Sequence, residues 1–382
     1  MKQFSRIIMM SIGFGGLVGE LYADSQGSKV EWDADFTVGI LNEGEKIIDT
    51  RKSDVATVCG IMKDTDGKSY CGPTKAKDHT RIDHGFWADS TVGVKFKKND
   101  AVSGYASFKM NLMESEVKAK KYYLTIDTGA GDLVMGNATL PFTEMIWDPD
   151  VIEFAAGPVA GASYKSRQPQ IMYNTAKMLG DLTVYFGFVQ AKNYGPKTDL
   201  QAESPGLELA VKYDNGAIKG GLGIHTEKYN YQDTDSVKTE NPTVFAVNAG
   251  YDAGMVDAGI AFGSGDPLFK SDATHKAVVA KGLKDKINSL MLKVSAKMDP
   301  MKAMIFYGSE VANLSKDNGH QDKTGTVKDV KEEADTIGLR FEFGWNDATW
   351  FAEVSSTKQK YDGVVYRDKQ WAGAGISASF GS

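Results

Sequence analysis

The chain has 382 residues, with 41 glycines, 10 prolines and a formal net charge of −6 at pH 7. It contains no run of 18 apolar residues, which excludes a membrane-spanning helix. The acidic balance argues against nucleic-acid binding as the main role. Abundant Gly, Tyr, Phe, Val and Thr favour many strands joined by turns.

The first 23 residues have the pattern of a secretory signal peptide. Lys2 and Arg6 precede an apolar stretch over residues 7–18, and Leu-Tyr-Ala at residues 21–23 ends on a small residue. A buried first helix is the alternative interpretation. We expect residues 1–23 to be removed on export and residues 24–382 to form the folded domain.

The first segment of this domain alternates strictly. From Val30 to Ile40 every even position is apolar and every odd position is polar or glycine. This pattern predicts a strand with one apolar face and one polar, water-facing face. Similar alternation predicts sixteen strands, most of them close to the length that crosses a bilayer at a tilt. They lie near residues 30–41, 90–98, 103–112, 120–128, 132–138, 168–175, 180–192, 206–215, 217–229, 243–253, 255–265, 287–298, 302–311, 334–345, 349–356 and 370–380.

Short and long connections alternate along the chain. The short ones contain tight-turn residues, as at 98–100, 214–216 and 252–254. The long ones are residues 42–89, 113–119, 139–167, 193–205, 230–242, 266–286, 312–333 and 357–369. Short turns at one end and long loops at the other are typical of outer-membrane barrels. The sequence therefore predicts an all-β fold, a closed antiparallel transmembrane β-barrel of about 16 strands with short periplasmic turns and long extracellular loops.

Two cysteines, Cys59 and Cys71, lie in the first long connection. In an oxidising compartment they could form a disulfide that stabilises this loop by roughly 3 kcal/mol, or both could remain free thiols. His79 and His84 lie further along, and their spacing matches no zinc-binding motif. The sequence predicts no metal site and no cofactor.

The segment Asp127-Thr128-Gly129-Ala130 resembles the catalytic loop of aspartic proteases. That chemistry needs two carboxylates that share a proton. No second Asp-Thr-Gly occurs in the chain, so a protease would have to be a homodimer. A glycine-containing turn between two strands fits the alternation better, and we predict no enzymatic activity.

The connection at 139–167 differs from the other loops because it is rich in Phe, Trp, Ile, Val and Ala. A loop exposed to water would not need these residues, but one that folds into the barrel would pack them against the inner wall. A sixteen-stranded barrel is otherwise an open aqueous channel. We therefore predict that residues 139–167 narrow the pore, with four carboxylates at Glu144, Asp148, Asp150 and Glu153.

Part of this region resembles a known family. Residues 148–154 (Asp-Pro-Asp-Val-Ile-Glu-Phe), Gly157-Pro158, Gly161 and residues 167–173 (Arg-Gln-Pro-Gln-Ile-Met-Tyr) are similar to the constriction loop and following strand of DcaP-like porins, within the Gram-negative trimeric porins. The resemblance implies a sixteen-stranded barrel, a homotrimer, and passage of small, often anionic, solutes.

Strand alternation also assigns side chains to the lumen or to the lipid. The basic residues predicted to face the carboxylates of 139–167 are Lys95, Lys109, Lys293 and Arg340, with Arg167 where the loop returns. The acidic residues predicted to face inward are Glu31, Asp33, Asp35, Asp127, Asp181, Glu208, Asp257 and Glu342. The alternative is that these charges pair locally and select nothing. The aromatic residues predicted to lie at the membrane surfaces are Trp32, Trp87, Tyr122, Trp345, Trp350 and Trp371.

Together these features predict a porin of a Gram-negative-type outer membrane, in contact with membrane lipid, that lets small polar solutes and ions diffuse passively. The alternative is a substrate-specific or adhesive barrel whose long loops bind a partner. Neither interpretation involves nucleic acid.

Overall fold

The computed structural model describes residues 29–47, 62–63, 69–70, 79–98, 100–111, 116–139, 141, 167–175, 179–190, 192–194, 205–226, 229–233, 236–240, 243–265, 286–314, 326 and 328–381. These residues form the strands β1 (Lys29–Ile47), β2 (Met62–Lys63), β3 (Ser69–Tyr70), β4 (His79–Lys97), β5 (Val102–Asn111), β6 (Glu116–Asp127), β7 (Asp132–Thr139), β8 (Arg167–Asn174), β9 (Leu182–Val189), β10 (Lys192–Tyr194), β11 (Gly206–Asp214), β12 (Ile218–Thr226), β13 (Tyr229–Asp233), β14 (Ser236–Glu240), β15 (Thr243–Asp252), β16 (Val256–Gly265), β17 (Lys286–Met298), β18 (Met301–Leu314), β19 (Val330–Trp345), β20 (Ala348–Tyr361) and β21 (Val364–Gly381).

Sixteen of these strands form one closed antiparallel barrel, from which β2, β3, β10, β13 and β14 are excluded. Each barrel strand coincides with one of the sixteen predicted intervals, so the predicted fold class is confirmed. The first and last strands close the barrel, because β1 pairs with both β4 and β21. Along this seam the rings of Phe36 and Phe380 lie 6.0 Å apart, and the Ser379 hydroxyl donates to Asp35 at 2.6 Å. Closure matters because unpaired backbone groups are costly in lipid.

Three of the short turns are stabilised by the same hydrogen bond between a side chain and the backbone. The carboxylates of Asp127, Asp214 and Asp252 each accept a hydrogen bond from the backbone N–H two residues later, at 2.8, 2.9 and 2.8 Å. That later residue is a glycine with φ between 80° and 89°, a conformation that costs glycine little. The turns therefore follow directly from the Asp-x-Gly sequences that predicted them.

Side chains alternate between the outer and the inner face of the wall. On β11, Leu207 and Leu209 are 46% and 47% exposed, whereas Glu208 and Ala210 are 1% and 0% exposed. Large apolar side chains are exposed in the same alternating manner on most other strands. An exposed apolar belt around a closed barrel is the face that a lipid bilayer requires.

The barrel wall is much taller on one side than on the other. Strands β7, β8 and β9 have 8 residues each, whereas β21 has 18 and both β1 and β4 have 19. The predicted loop at 357–369 is therefore wrong, because β20 and β21 continue to a tight turn at Asp362 and Gly363. The predicted loop at 42–89 is likewise shorter, because β1 and β4 extend into it. The extensions of β1 and β20, residues 42–47 and 357–361, are mostly polar, so alternation did not identify them as strands.

The loops on the extracellular side carry some structure of their own. Within the predicted loop at 230–242, β13 and β14 form an antiparallel hairpin, and β10 pairs with β13 in parallel. Strands β2 and β3 form a short pair within the first long loop. Among the described residues, no helix is long and apolar enough to cross a membrane.

The aromatic residues near the strand ends were predicted only in part. Trp345 and Trp350 are exposed on the outer face, on either side of the short turn between β19 and β20. Trp371 was predicted for the same belt, and this is wrong. It pairs with Ser355, which is buried on the lumen side of β20, so it lies on the inner face of β21.

Candidate pore and constriction

The inner wall formed by β1, β4, β5 and β6 carries opposite charges on nearby strands. One row of paired residues contains Asp35, Thr91, Lys109 and Lys118. The next row towards the periplasm contains Asp33, Gly93, Ser107 and Lys121. Carboxylates therefore lie on β1 and lysines on β5 and β6, with small residues between them. Since neighbouring strands are about 4.8 Å apart, both signs of charge border the same narrow strip of lumen.

Asp33 is held in place on this wall by a tyrosine and a glycine. The Tyr105 hydroxyl donates to Asp33 Oδ2 at 3.2 Å. A side chain at position 93 would overlap both the Tyr105 hydroxyl and the Asp33 carboxylate. Glycine at 93 therefore leaves room for the Asp33 carboxylate to lie across β4, towards the lysines.

A β-bulge enlarges the basic group. The register between β5 and β6 shifts between Ser107 and Phe108, which inserts one extra residue into β6. The extra residue is Lys120, whose Nζ donates to the lumen-facing Thr91 hydroxyl at 3.2 Å. Lys118, Lys120 and Lys121 thus lie on the lumen side together, although strict alternation would separate Lys120 from Lys121. We call Lys109, Lys118, Lys120 and Lys121 the lysine strip.

The sequence predictions missed three members of the lysine strip. Residues 113–119 were assigned to a loop, and a bulge breaks the alternation on which side-chain assignment depends. The available signal was three lysines within four residues next to the apolar Val117 and Tyr122. Lys109, which was predicted, lies on the lumen side of β5 as expected.

The other predicted wall cations lie apart from the lysine strip. Lys95 Nζ lies 3.6 Å from Glu31 on the neighbouring strand β1. Lys293 is on β17, across the barrel, with its Nζ 3.6 Å from Asp257.

Arg340 is on β19, three strands from β1, and it is only 4% exposed. Its Nε donates to Glu342 at 2.8 Å, and its Nη1 lies 3.4 Å from Glu353. The described contacts of Lys95, Lys293 and Arg340 are thus local ion pairs. Local pairing was the alternative that the sequence analysis left open.

The accessible part of the lumen lies along β1, β4, β5 and β6. There Asp35, Lys95, Lys109 and Lys118 are exposed. On the opposite wall the lumen-facing side chains near the extracellular end are buried. The largest apolar group consists of Ala210, Val244, Ala246 and Ile287, with Tyr185 and Ala312 packed against it. Glu208 and His225 are buried beside this group, with Glu208 Oε2 3.3 Å from His225 Nδ1.

The carboxylates predicted to form the constriction, Glu144, Asp148, Asp150 and Glu153, lie outside the described residues. The two ends of their loop are described, since Thr139 of β7 pairs with Arg167 of β8. Tyr122 pairs with Asn137, so Lys121 lies close to the height at which residues 139–167 leave the wall. The amide of Gln170 donates to the Ala138 carbonyl at 3.1 Å and ties the two strands together below the loop.

Arg167 is the first residue of β8. It lies four positions before Ile171, which is exposed on the outer face, so both residues belong to the same face of the strand. Its side chain lies outside the described residues. The register therefore does not favour the prediction that Arg167 lines the lumen, and that assignment stays a prediction.

The motifs that suggested other chemistry have structural roles or are not described. Asp127 stabilises its turn through Gly129, and the Thr128 hydroxyl donates to the Gly131 carbonyl at 2.8 Å. Cys59, Cys71 and the side chains of His79 and His84 lie outside the described residues. Within the described part of the chain, no group of three or more His, Cys, Asp or Glu side chains could hold a metal ion.

Comparisons with known proteins agree with this architecture. The sequence profile described as "Gram-negative porin" matches residues 22–360. The outer membrane channel DcaP of Acinetobacter baumannii is similar in structure, with a TM-score of 0.61 and 14% identity over 94% of this chain and 99% of that one. The anion-selective porin from Comamonas acidovorans gives a TM-score of 0.58 and 12% identity over 92% and 100%. The trimer form of OmpT from Vibrio cholerae gives a TM-score of 0.53 and 14% identity, over 93% of this chain and 100% of that one. No curated protein sequence matches the chain.

Proposed function

We propose that this chain, which belongs to the Gram-negative porin family, conducts small charged solutes along the β1–β6 side of its lumen. It is an outer-membrane channel for passive diffusion, and porins are channels rather than enzymes. The observation that carries the proposal is the pair of rows in which carboxylates on β1 face the lysine strip across small residues. Opposite charges at the border of a narrow, low-dielectric passage create a field that orients and sorts charged solutes.

We also propose that residues 139–167 fold inward and set the narrowest section. Two features support this proposal. The loop is apolar, and the lumen-facing wall opposite the lysine strip presents buried apolar side chains at Ala210, Val244 and Ala246. A loop seated against that wall would bring its carboxylates towards the lysine strip and leave the open path beside β1, β4, β5 and β6.

Planar-bilayer recording tests the channel directly. Purified protein should give steady, large conductance steps, and a gradient of potassium chloride should give a reversal potential set by the wall charges. A substrate-specific or adhesive barrel, the alternative function, would give no such steps. Protein that inserts into the bilayer, as judged by protease protection, yet conducts nothing would contradict the proposal.

A homotrimer is proposed on two grounds. The OmpT structure described as a trimer form has the same fold. In addition, the small residues Ala34, Ala88 and Ser90 lie on the outer face of β1 and β4 and are almost fully buried. Small residues let membrane-embedded surfaces approach closely. Crosslinking in intact membranes should give a three-chain species, and a species of one chain alone would contradict this proposal.

We propose further that export behind residues 1–23 exposes Cys59 and Cys71 to an oxidising compartment, where they form a disulfide. Strands β2 and β3 lie between the two cysteines and pair with each other, Met62 opposite Tyr70, so the chain turns back on itself within this interval. Mass spectrometry of a non-reduced digest should show the linked peptide, and prior reduction should remove it. Two free thiols in protein purified from the outer membrane would refute the bond.

A further inference from the structure

The lumen wall around the lysine strip separates opposite charges without a net excess of either. Three successive rows cross β1, β4, β5 and β6 here, and their charged residues are Asp33, Asp35, Asp89, Lys109, Glu116, Lys118, Lys120 and Lys121. Four carboxylates balance four lysines. In these rows the β1 and β4 half has carboxylates alone, whereas all four lysines belong to the β5 and β6 half. Such a wall favours a solute that has both charges over one that has a single charge.

The charged side chains of the middle row are accessible from the lumen. Asp35, Lys109 and Lys118 are all exposed. Asp35 accepts a hydrogen bond from the Ser379 hydroxyl at 2.6 Å. Ser379 is on β21, on the side of β1 away from the lysines. Asp35 is therefore held from behind, and its charge borders the open part of the pore.

A hydroxyl group lies between the two charges of this row. Thr91 is in register between Asp35 and Lys109, and it accepts a hydrogen bond from Lys120 at 3.2 Å. A hydroxyl that accepts one hydrogen bond keeps its hydrogen for another acceptor. The neighbouring row has Gly93 and Ser107 in the corresponding positions, and both are small and buried. A solute can thus lie against Thr91 with its ends directed towards β1 and β5.

Strand spacing sets the length of that solute. Because neighbouring strands are about 4.8 Å apart, Asp35 lies about 10 Å from Lys109 and about 14 Å from Lys118 across the wall. A charge-assisted hydrogen bond of about 2.8 Å at each end leaves about 4–9 Å between the opposite charges of the solute. An extended dipeptide spans at most about 7 Å, and its carbonyl lies between its ends, where Thr91 can donate to it.

We propose that this part of the wall is a binding site for small zwitterions of dipeptide length. The ammonium group binds Asp35, the carboxylate binds Lys109 or Lys118, and the carbonyl between them accepts from Thr91. The proposal rests on the proposed channel function and names the class of solute that the channel prefers. A simple anion of the same size is attracted by the lysines but repelled by Asp33 and Asp35.

Block of the ion current by four molecules of one shape tests this proposal. Alanyl-alanine has both charges, propionyl-alanine lacks the ammonium, alanine ethylamide lacks the carboxylate, and N-ethylpropanamide lacks both. Full-length protein in a planar bilayer at neutral pH and 0.1 M ionic strength is titrated with each, and the concentration that halves the current reduction is measured. We expect this concentration to be roughly fivefold lower for alanyl-alanine than for the others, as one added charge pair would give.

Two variants locate the site. Asp35→Asn keeps an acceptor for the Ser379 hydroxyl but removes the charge, so alanyl-alanine should bind only as well as propionyl-alanine does. Glu31→Gln is the matched control, because it removes the same charge from the lumen side of β1. Glu31 pairs with Lys95 at 3.6 Å and lies about 13 Å nearer the periplasm than Asp35. This variant should keep the preference for alanyl-alanine.

Three results would overturn the proposal. Equal values for the four molecules, in protein that gives normal steps in potassium chloride alone, would leave the channel function intact but remove the zwitterion site. Tightest binding of propionyl-alanine would make this wall an anion site. The same loss of preference in Asp35→Asn and Glu31→Gln would mean that the carboxylates act through the overall field. A protein that gives no steps in potassium chloride alone would contradict the channel function itself.

Discussion

Deleting residues 144–156 should raise the single-channel conductance about twofold, because the narrowest section dominates the resistance of a channel and a sixteen-stranded barrel without an inward segment is wide open. The deletion removes all four carboxylates predicted to line the constriction, Glu144, Asp148, Asp150 and Glu153. Bilayer recording of single insertions measures the change.

The matched control is a deletion of residues 316–325, in the connection between β18 and β19. This segment is polar and lies between strands that end at Leu314 and resume at Val330. Its removal should change conductance much less. If the two deletions have the same effect, residues 139–167 do not form the constriction, even though the barrel and its channel activity would stand.

Reversing two charges of the lysine strip should shift the channel towards cations. In the Lys118→Glu, Lys121→Glu protein, the ratio of anion to cation permeability at 0.1 M salt should fall by roughly fivefold or more, since unit charges about 4 Å apart interact by about 1 kcal/mol in water. The shift should shrink at 1 M salt, where the Debye length falls from about 10 Å to about 3 Å. Reversal potentials in a salt gradient measure both effects.

The control for net charge is Lys331→Glu, Lys358→Glu, which reverses two lysines on the outer face of β19 and β20. It changes the charge of the protein by the same amount but leaves the lumen unaltered. Its reversal potential should match that of the unmodified protein. An equal shift in both double variants would mean that the lysine strip does not face the path of the ions.

The fold could be predicted from the sequence because a barrel in lipid imposes its pattern on every strand. Leu207, Leu209 and Tyr213 must alternate with lumen residues within the bilayer, and Asp-x-Gly turns mark the periplasmic ends. Above the membrane this constraint disappears. The outer part of β20 is polar on both faces, as at Thr357, Lys358 and Gln359, so alternation could not distinguish it from a loop.

The candidate site was predictable only in outline, for two physical reasons. A bulge moves Lys120 and Lys121 to one side of β6 without any change in composition that alternation could register. Charge pairing, in turn, depends on which residues lie opposite each other across strands. Arg340 meets Glu353 because the two-residue turn at Asn346 and Asp347 sets the register of β19 and β20, and alternation within a single strand does not show such a pairing.

The seam between β1 and β21 has a consequence for how the molecule is assembled. The two strands that close the barrel come from opposite ends of the chain, so no part of the wall is complete until the last strand has been synthesised and docked. Before that, β1 and β20 are open edges whose backbone groups would pair with another chain. A protein that lacks Val364–Gly381 would therefore not be a smaller pore. It would be an open sheet that cannot enter lipid without exposing two unpaired edges, and we expect it to aggregate before it reaches the membrane.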